Sequence, residues 1–111
     1  MNGDARKAAI AAYKERKVTA GVYAVRSSAS AAAWIGHWSD IDTIQRRIWF
    51  TLRQGTYPNR YLQDEWNLHG EAGFSFEVLE RMPEDVTPFL RAGILKERAG
   101  YWRAHLDASL I

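Results

Sequence analysis

Apolar positions along this chain change period several times, and each change marks an element. Residues 20–26, Ala-Gly-Val-Tyr-Ala-Val-Arg, are rich in strand formers and follow the pair Val18-Thr19. Turn-forming residues from Ser27 to Ser30 separate them from 32–36, Ala-Ala-Trp-Ile-Gly, which reads as a short return strand. The two predict an antiparallel hairpin. Ile41, Ile44, Ile48 and Leu52 then recur at helical spacing on one face. Ser39 is placed to cap that helix, with Asp42 three residues on in capping-box spacing, and Gly55 to end it. Pro58 suits the first turn of a second helix that reaches His69 before Gly70, with Leu62 and Trp66 as its buried pair. Phe74-Ser-Phe-Glu-Val-Leu-Glu alternates with period two and predicts a third strand. Thr87-Pro88 opens a last helix running to about Leu106, with Leu95, Ala99, Trp102 and Leu106 on one stripe. Gly93 and Gly100 weaken it. Upstream, residues 4–17 predict an Ala-rich helix capped by Asp4.

The order helix, strand, strand, helix, helix, strand, helix predicts an α/β (α+β) domain. Its centre is a small three-stranded mixed or antiparallel sheet, flanked by helices on both sides because three short strands cannot bury both faces alone. No repeat or linker interrupts the sequence, so residues 1–111 are expected to form one domain with a core over about 20–106. That length buries a core without staples. The chain has no cysteine, which excludes disulfides and cysteine–metal sites. No apolar run is long enough to span a bilayer and the N-terminus lacks the apolar centre of a secretory signal, so a cytoplasmic protein without a membrane partner is the expectation.

A net charge of +2 permits an anionic partner without demanding one. Aromatic usage is less ordinary, with five Trp and five Tyr, most of them expected in the core. No Gly-rich phosphate loop, HExxH helix, EF-hand loop or nucleophile elbow is present, and His37, His69 and His105 lack ligand spacing. Basic and aromatic residues do interleave. Arg46, Phe50 and Arg53 follow at i, i+4, i+7, with Arg47 and Trp49 close on the helical wheel. Guanidinium groups beside rings grip phosphate and stack on bases, which makes Arg46 and Arg53 candidate nucleic-acid contacts. The same pattern is also that of an amphipathic helix with its polar face outward.

Gly21-Val22-Tyr23 and Trp34-Ile35-Gly36 resemble the two halves of the GIY-YIG nuclease signature, both on expected strands. Gly55, the Leu62-Gln63 pair, Trp66-Asn67-Leu68-His69-Gly70 and the strand from Phe74 resemble the middle of the family's phage-type homing endonucleases. Glu97-Arg98 with Tyr101-Trp102 and Leu106 resembles its last helix, so the resemblance covers roughly residues 20 to 106. It implies phosphodiester hydrolysis with one divalent metal, magnesium or manganese. A tyrosine of the first motif half assists the nucleophile. The second motif aromatic and a helix arginine orient and neutralise the phosphate. A glutamate on the last helix holds the metal.

Carried over position by position, the resemblance makes Tyr23 the first tyrosine and Trp34 the second aromatic, with an indole N–H that donates but cannot accept a proton. The arginine position, eight residues after Gly36, is Ile44. Arg47, one turn later, is the nearest substitute, ahead of Arg46. The metal glutamate, three residues before the tryptophan of the last helix, reads as Ala99. Glu97 is the relocated candidate, two positions away and about 200° around the helix. Tyr57 stands near a position often histidine in relatives and supplies a proton-handling phenol. The family's late asparagine has no counterpart before Ile111.

Three functions follow. The first is a GIY-YIG domain that engages nucleic acid, DNA above all, with cleavage weak, conditional or lost and a protein partner supplying specificity. The second is an active metal-dependent endonuclease using Arg47 and Glu97. The third is a protein-interaction module on the same scaffold.

Overall fold

The computed structural model describes residues 18–83 and 85–111, so the helix expected over 4–17 lies outside the described residues. Strand β1 (Gly21–Ser27) is central, paired antiparallel with β2 (Ala33–Trp38) on one side and with β3 (Phe74–Arg81) on the other. Its alternation explains that place. Tyr23 and Val25 face one apolar cluster, Val22 and Ala24 face a second, and all four are buried. On the first face lie helices α1 (Ile44–Gln54) and α2 (Arg60–His69), which contribute Ile44, Ile48, Leu52, Leu62 and Trp66. On the second lies α3 (Pro88–His105), anchored by Leu95 and Ala99 with Trp102 and Leu106 beside them. The stripe read on each helix is the stripe it buries.

Among the described residues the sheet has four strands rather than the expected three, in the order β3-β1-β2-β4. The addition is β4 (Ser109–Leu110), parallel to β2, with Ile111 N–H donating to the Ile35 carbonyl at 2.9 Å. Two residues are too few for a period-two pattern to be visible. The parallel pairing makes the sheet mixed.

Helix ends differ from expectation in two places. Ser39 does not cap α1. Residues 41–43 form a turn, Thr43 precedes the helix without a side-chain cap, and the Asp42 carboxylate is bonded to Arg81 (Nη2–Oδ1 2.8 Å). Helix α2 starts two residues after Pro58, capped by Asn59, whose Oδ1 accepts from Leu62 N–H at 3.2 Å. Gly55 closes α1 in the left-handed conformation, with φ of 76°.

Candidate functional site

Two glycines allow the central strands to carry the site. Across the β1–β2 ladder Tyr23 stands opposite Gly36. The Tyr23 ring lies over that glycine so closely that a Cβ on residue 36 would sit 2.5 Å from the phenol Cζ. Glycine is therefore needed here for close approach and not for backbone shape. Gly21 is crowded in the same way, a Cβ there falling 2.5 Å from the Glu80 carbonyl. Both glycines of the paired motif thus have steric reasons. Tyr23 is fixed from its other side by Phe76, stacked with ring centroids 5.2 Å apart.

Tyr23, with only 3% of its surface exposed, lines a cavity of about 530 Å³ between β2, the start of α1 and the loop leading into α2. Tyr57 shares that wall, held there by a buried side chain. Gln63 accepts from Tyr57 N–H at 2.9 Å and donates to the Leu52 carbonyl at 3.1 Å and to Asn67 Oδ1 at 2.9 Å. The Leu62-Gln63 pair is thereby explained, one side chain filling the core and the other tying the loop to two helices. Arg47 lines the same cavity and stacks over Trp38, its Cζ 5.0 Å from the ring centroid. Burial, with the neighbouring Tyr57 as a smaller cause, pushes the Tyr23 phenol far above its ordinary range, and burial raises Tyr57 too. At neutral pH both are hydrogen-bond donors and not bases. Among the described residues its wall carries one guanidinium, Arg47, and no side-chain carboxylate, and a guanidinium holds an anion by charge-assisted hydrogen bonds.

Tyr23, Arg47 and Tyr57 are therefore brought together. Trp34 is not. Its phase puts it on the Tyr23 face, opposite Val25, but it is fully buried between Tyr61 and Phe74, its Nε1 has no hydrogen-bond partner among the described residues, and it does not line the cavity. Ile44, in the arginine position, is buried at the cavity floor with Ile48. Ala99 packs in the cluster on the opposite face of the sheet. Glu97 is exposed on α3 and does not reach the cavity. Among the described residues no group of three acidic or imidazole side chains is arranged to hold a metal. The donors on this wall do not fit a hard divalent cation, which takes carboxylate or carbonyl oxygens. On the outer face of α1, Arg46 and Phe50 are exposed, and Arg53 is ion-paired with Glu71 (Nε–Oε1 2.8 Å).

Sequence reasoning missed Trp38. Trp34, Gly36 and Trp38 alternate and so share a strand face, a signal present in the sequence but hidden by reading the strand as ending at Gly36.

The four-stranded mixed sheet, with one long helix on one face and two shorter ones on the other, is the fold of solved GIY-YIG nuclease structures. Solved structures with it include the catalytic domain of the homing endonuclease I-TevI, at a TM-score of 0.68 and 23% identity, covering 79% of this chain and 88% of that one. A point-mutant form of the same intron endonuclease domain matches at a TM-score of 0.68 and 23% identity, over 81% of this chain and 86% of the other. No protein-family model matches the sequence, and no curated protein matches it. Among the described residues no helix is long and apolar enough to cross a membrane.

Proposed function

We propose that this chain binds nucleic acid through the Tyr23 cleft and the exposed face of α1, with phosphodiester cleavage weak, conditional or lost. The observation that carries the reading is the composition of the cleft. It keeps two protonated phenols and Arg47, which hold a phosphate, while Ile44 and Ala99, in the arginine and glutamate positions, belong to apolar clusters. Hydrolysis of a phosphodiester needs an activated water and a cation against the growing charge. Burial keeps the Tyr23 and Tyr57 phenols protonated well past neutral pH, where they act as hydrogen-bond donors. Residual cleavage would call for magnesium or manganese, which the side chains of this wall do not fit and which Glu97, exposed on α3, does not bring to the cleft.

The test uses purified protein with supercoiled plasmid and manganese, beside a Tyr23→Phe variant, and a mobility-shift titration across a salt series. The expected result is a bound complex that weakens steeply with salt, with little or no nicking. Robust nicking that disappears in Tyr23→Phe would overturn the loss of cleavage and favour the active endonuclease. Absence of any shift at low salt would overturn nucleic-acid binding and favour the interaction module.

A further inference from the structure

We propose that the Tyr23 cleft seats an unpaired nucleotide of a single strand, its base continuing the stack formed by Trp38 and Arg47. The inference rests on the nucleic-acid reading above and narrows it to a substrate class.

Trp38 ends β2 with 37% of its surface exposed, unlike its strand neighbour Trp34, which is fully buried on the same face. A large ring left half open at a strand end, with a guanidinium over it at 5.0 Å, is a stacking platform already assembled. Single-stranded nucleic acid is held by this combination, rings or guanidinium planes for the bases and a cation for the backbone. The platform forms part of the cavity wall, and at about 530 Å³ the cavity falls inside the range of about 300–1,000 Å³ typical of small-ligand sites. That accommodates one base with its sugar and phosphate but not a base pair in its stack. A duplex would have to extrude a nucleotide to use it, at the cost of unpairing and unstacking. Beyond the platform the wall is lined by Tyr23 and Tyr57, whose phenols are donors, and among the described residues by no side-chain carboxylate. A guanidinium offers its planar face to a base and its N–H groups to a phosphate, so Arg47 beside Trp38 suits both parts of a nucleotide.

The experiment is fluorescence anisotropy at low salt with a short labelled oligo(dT), the corresponding blunt duplex, an oligomer of equal length carrying abasic sites, and free dTMP as competitor. The single strand is expected to bind about tenfold tighter than the duplex per nucleotide, and the abasic strand to lose most of that advantage. Trp38→Ala should weaken single-strand binding roughly tenfold, and Trp38→Phe should restore most of it. The abasic comparison uses the unaltered protein, so it stands whatever Trp38→Ala does to folding. Duplex binding as tight as the single strand, equal binding of the abasic strand, or an unchanged affinity in a folded Trp38→Ala protein overturns this inference and leaves the broader reading in place. dTMP competing as well as the oligomer, nucleotide for nucleotide, overturns the strand in favour of a free nucleotide. Binding of neither strand nor duplex overturns both.

Discussion

Replacing Gly36 by alanine tests the link between motif, packing and cleft with a single methyl group. The added carbon would lie 2.5 Å from Tyr23 Cζ and 2.7 Å from Ile111 Cγ2, both well inside van der Waals contact. Ile111 is held by one backbone bond at a strand of two residues and can swing aside. The Tyr23 ring cannot do so cheaply, being 3% exposed and stacked on Phe76 at 5.2 Å. Overpacking a well-filled site costs about 1–3 kcal/mol, and for a domain of this size about 4 °C in Tm per kcal/mol. A fall of about 4–12 °C is therefore expected in a thermal melt followed by circular dichroism. The cause is separable by a second substitution. Tyr23→Leu removes the ring, so in the Tyr23→Leu background Gly36→Ala should cost well under half its value in the native background, a coupling of about 1 kcal/mol or more. Strict additivity of the two changes, or a Gly36→Ala protein that melts with the parent, would refute the claim that glycine is required by the Tyr23 ring.

Ile44→Ala should lower stability by roughly 2–4 kcal/mol in a denaturant melt, because Ile44 is buried with Ile41, Ile48 and Leu52; an unchanged melt would mean the α1 stripe does not bear on the core. Reversing Arg46 and Arg53 to Glu should weaken DNA binding more than tenfold at low salt, with Arg46→Glu alone giving the larger share because Arg53 is already paired with Glu71; an unchanged mobility shift would move the contact elsewhere. Tyr23 has a folded pKa above the ordinary value of 10.0, so its contribution to stability is complete below about pH 10 and is lost as pH rises beyond it. Ultraviolet titration should show tyrosinate from Tyr23 appearing only with alkaline unfolding, and early ionisation in the folded protein would contradict its burial.

Element types were legible where one physical rule dominated. Ile41, Ile44, Ile48 and Leu52 are at helical spacing and all four are buried, and Phe74, Phe76 and Val78 alternate into one cluster. Boundaries were less legible because local rules competed with partners far along the chain. Ser39 and Asp42 have the spacing of a capping box, yet Asp42 is bonded to Arg81, thirty-nine residues away. The site was legible as a frame, with Tyr23 and Gly36 paired across two strands as the motif spacing requires. Its working parts were not. Whether Trp34 sits in the cleft or under it depends on Tyr61 and Phe74, and whether Arg53 is available depends on Glu71, neither of which follows from sequence spacing.

Ala99→Glu is the change that bears most directly on the proposed loss of cleavage, because it returns a carboxylate to the position where the resemblance expects one. The sequence alone suggests a gain of metal affinity without turnover. The structure changes the first half of that expectation. Ala99 is 2% exposed and packs with Val22, Ala24, Ile35 and Leu95, on the face of the sheet opposite the Tyr23 ring. A carboxylate there meets apolar side chains in place of water, and a buried charge without a partner either destabilises the fold by several kcal/mol or takes up a proton. The neighbouring cation does not relieve it, since Arg98 already spends its guanidinium on Glu80, with Nη2–Oε1 at 2.6 Å and Nε–Oε2 at 2.8 Å. The variant should therefore melt well below the parent, recover stability as pH falls toward the raised carboxyl pKa, and bind manganese no better than the parent in a calorimetric titration. A stable Ala99→Glu protein with new manganese affinity would mean that α3 can turn its face toward the cleft, and the assignment of residue 99 to the apolar cluster would fail with it.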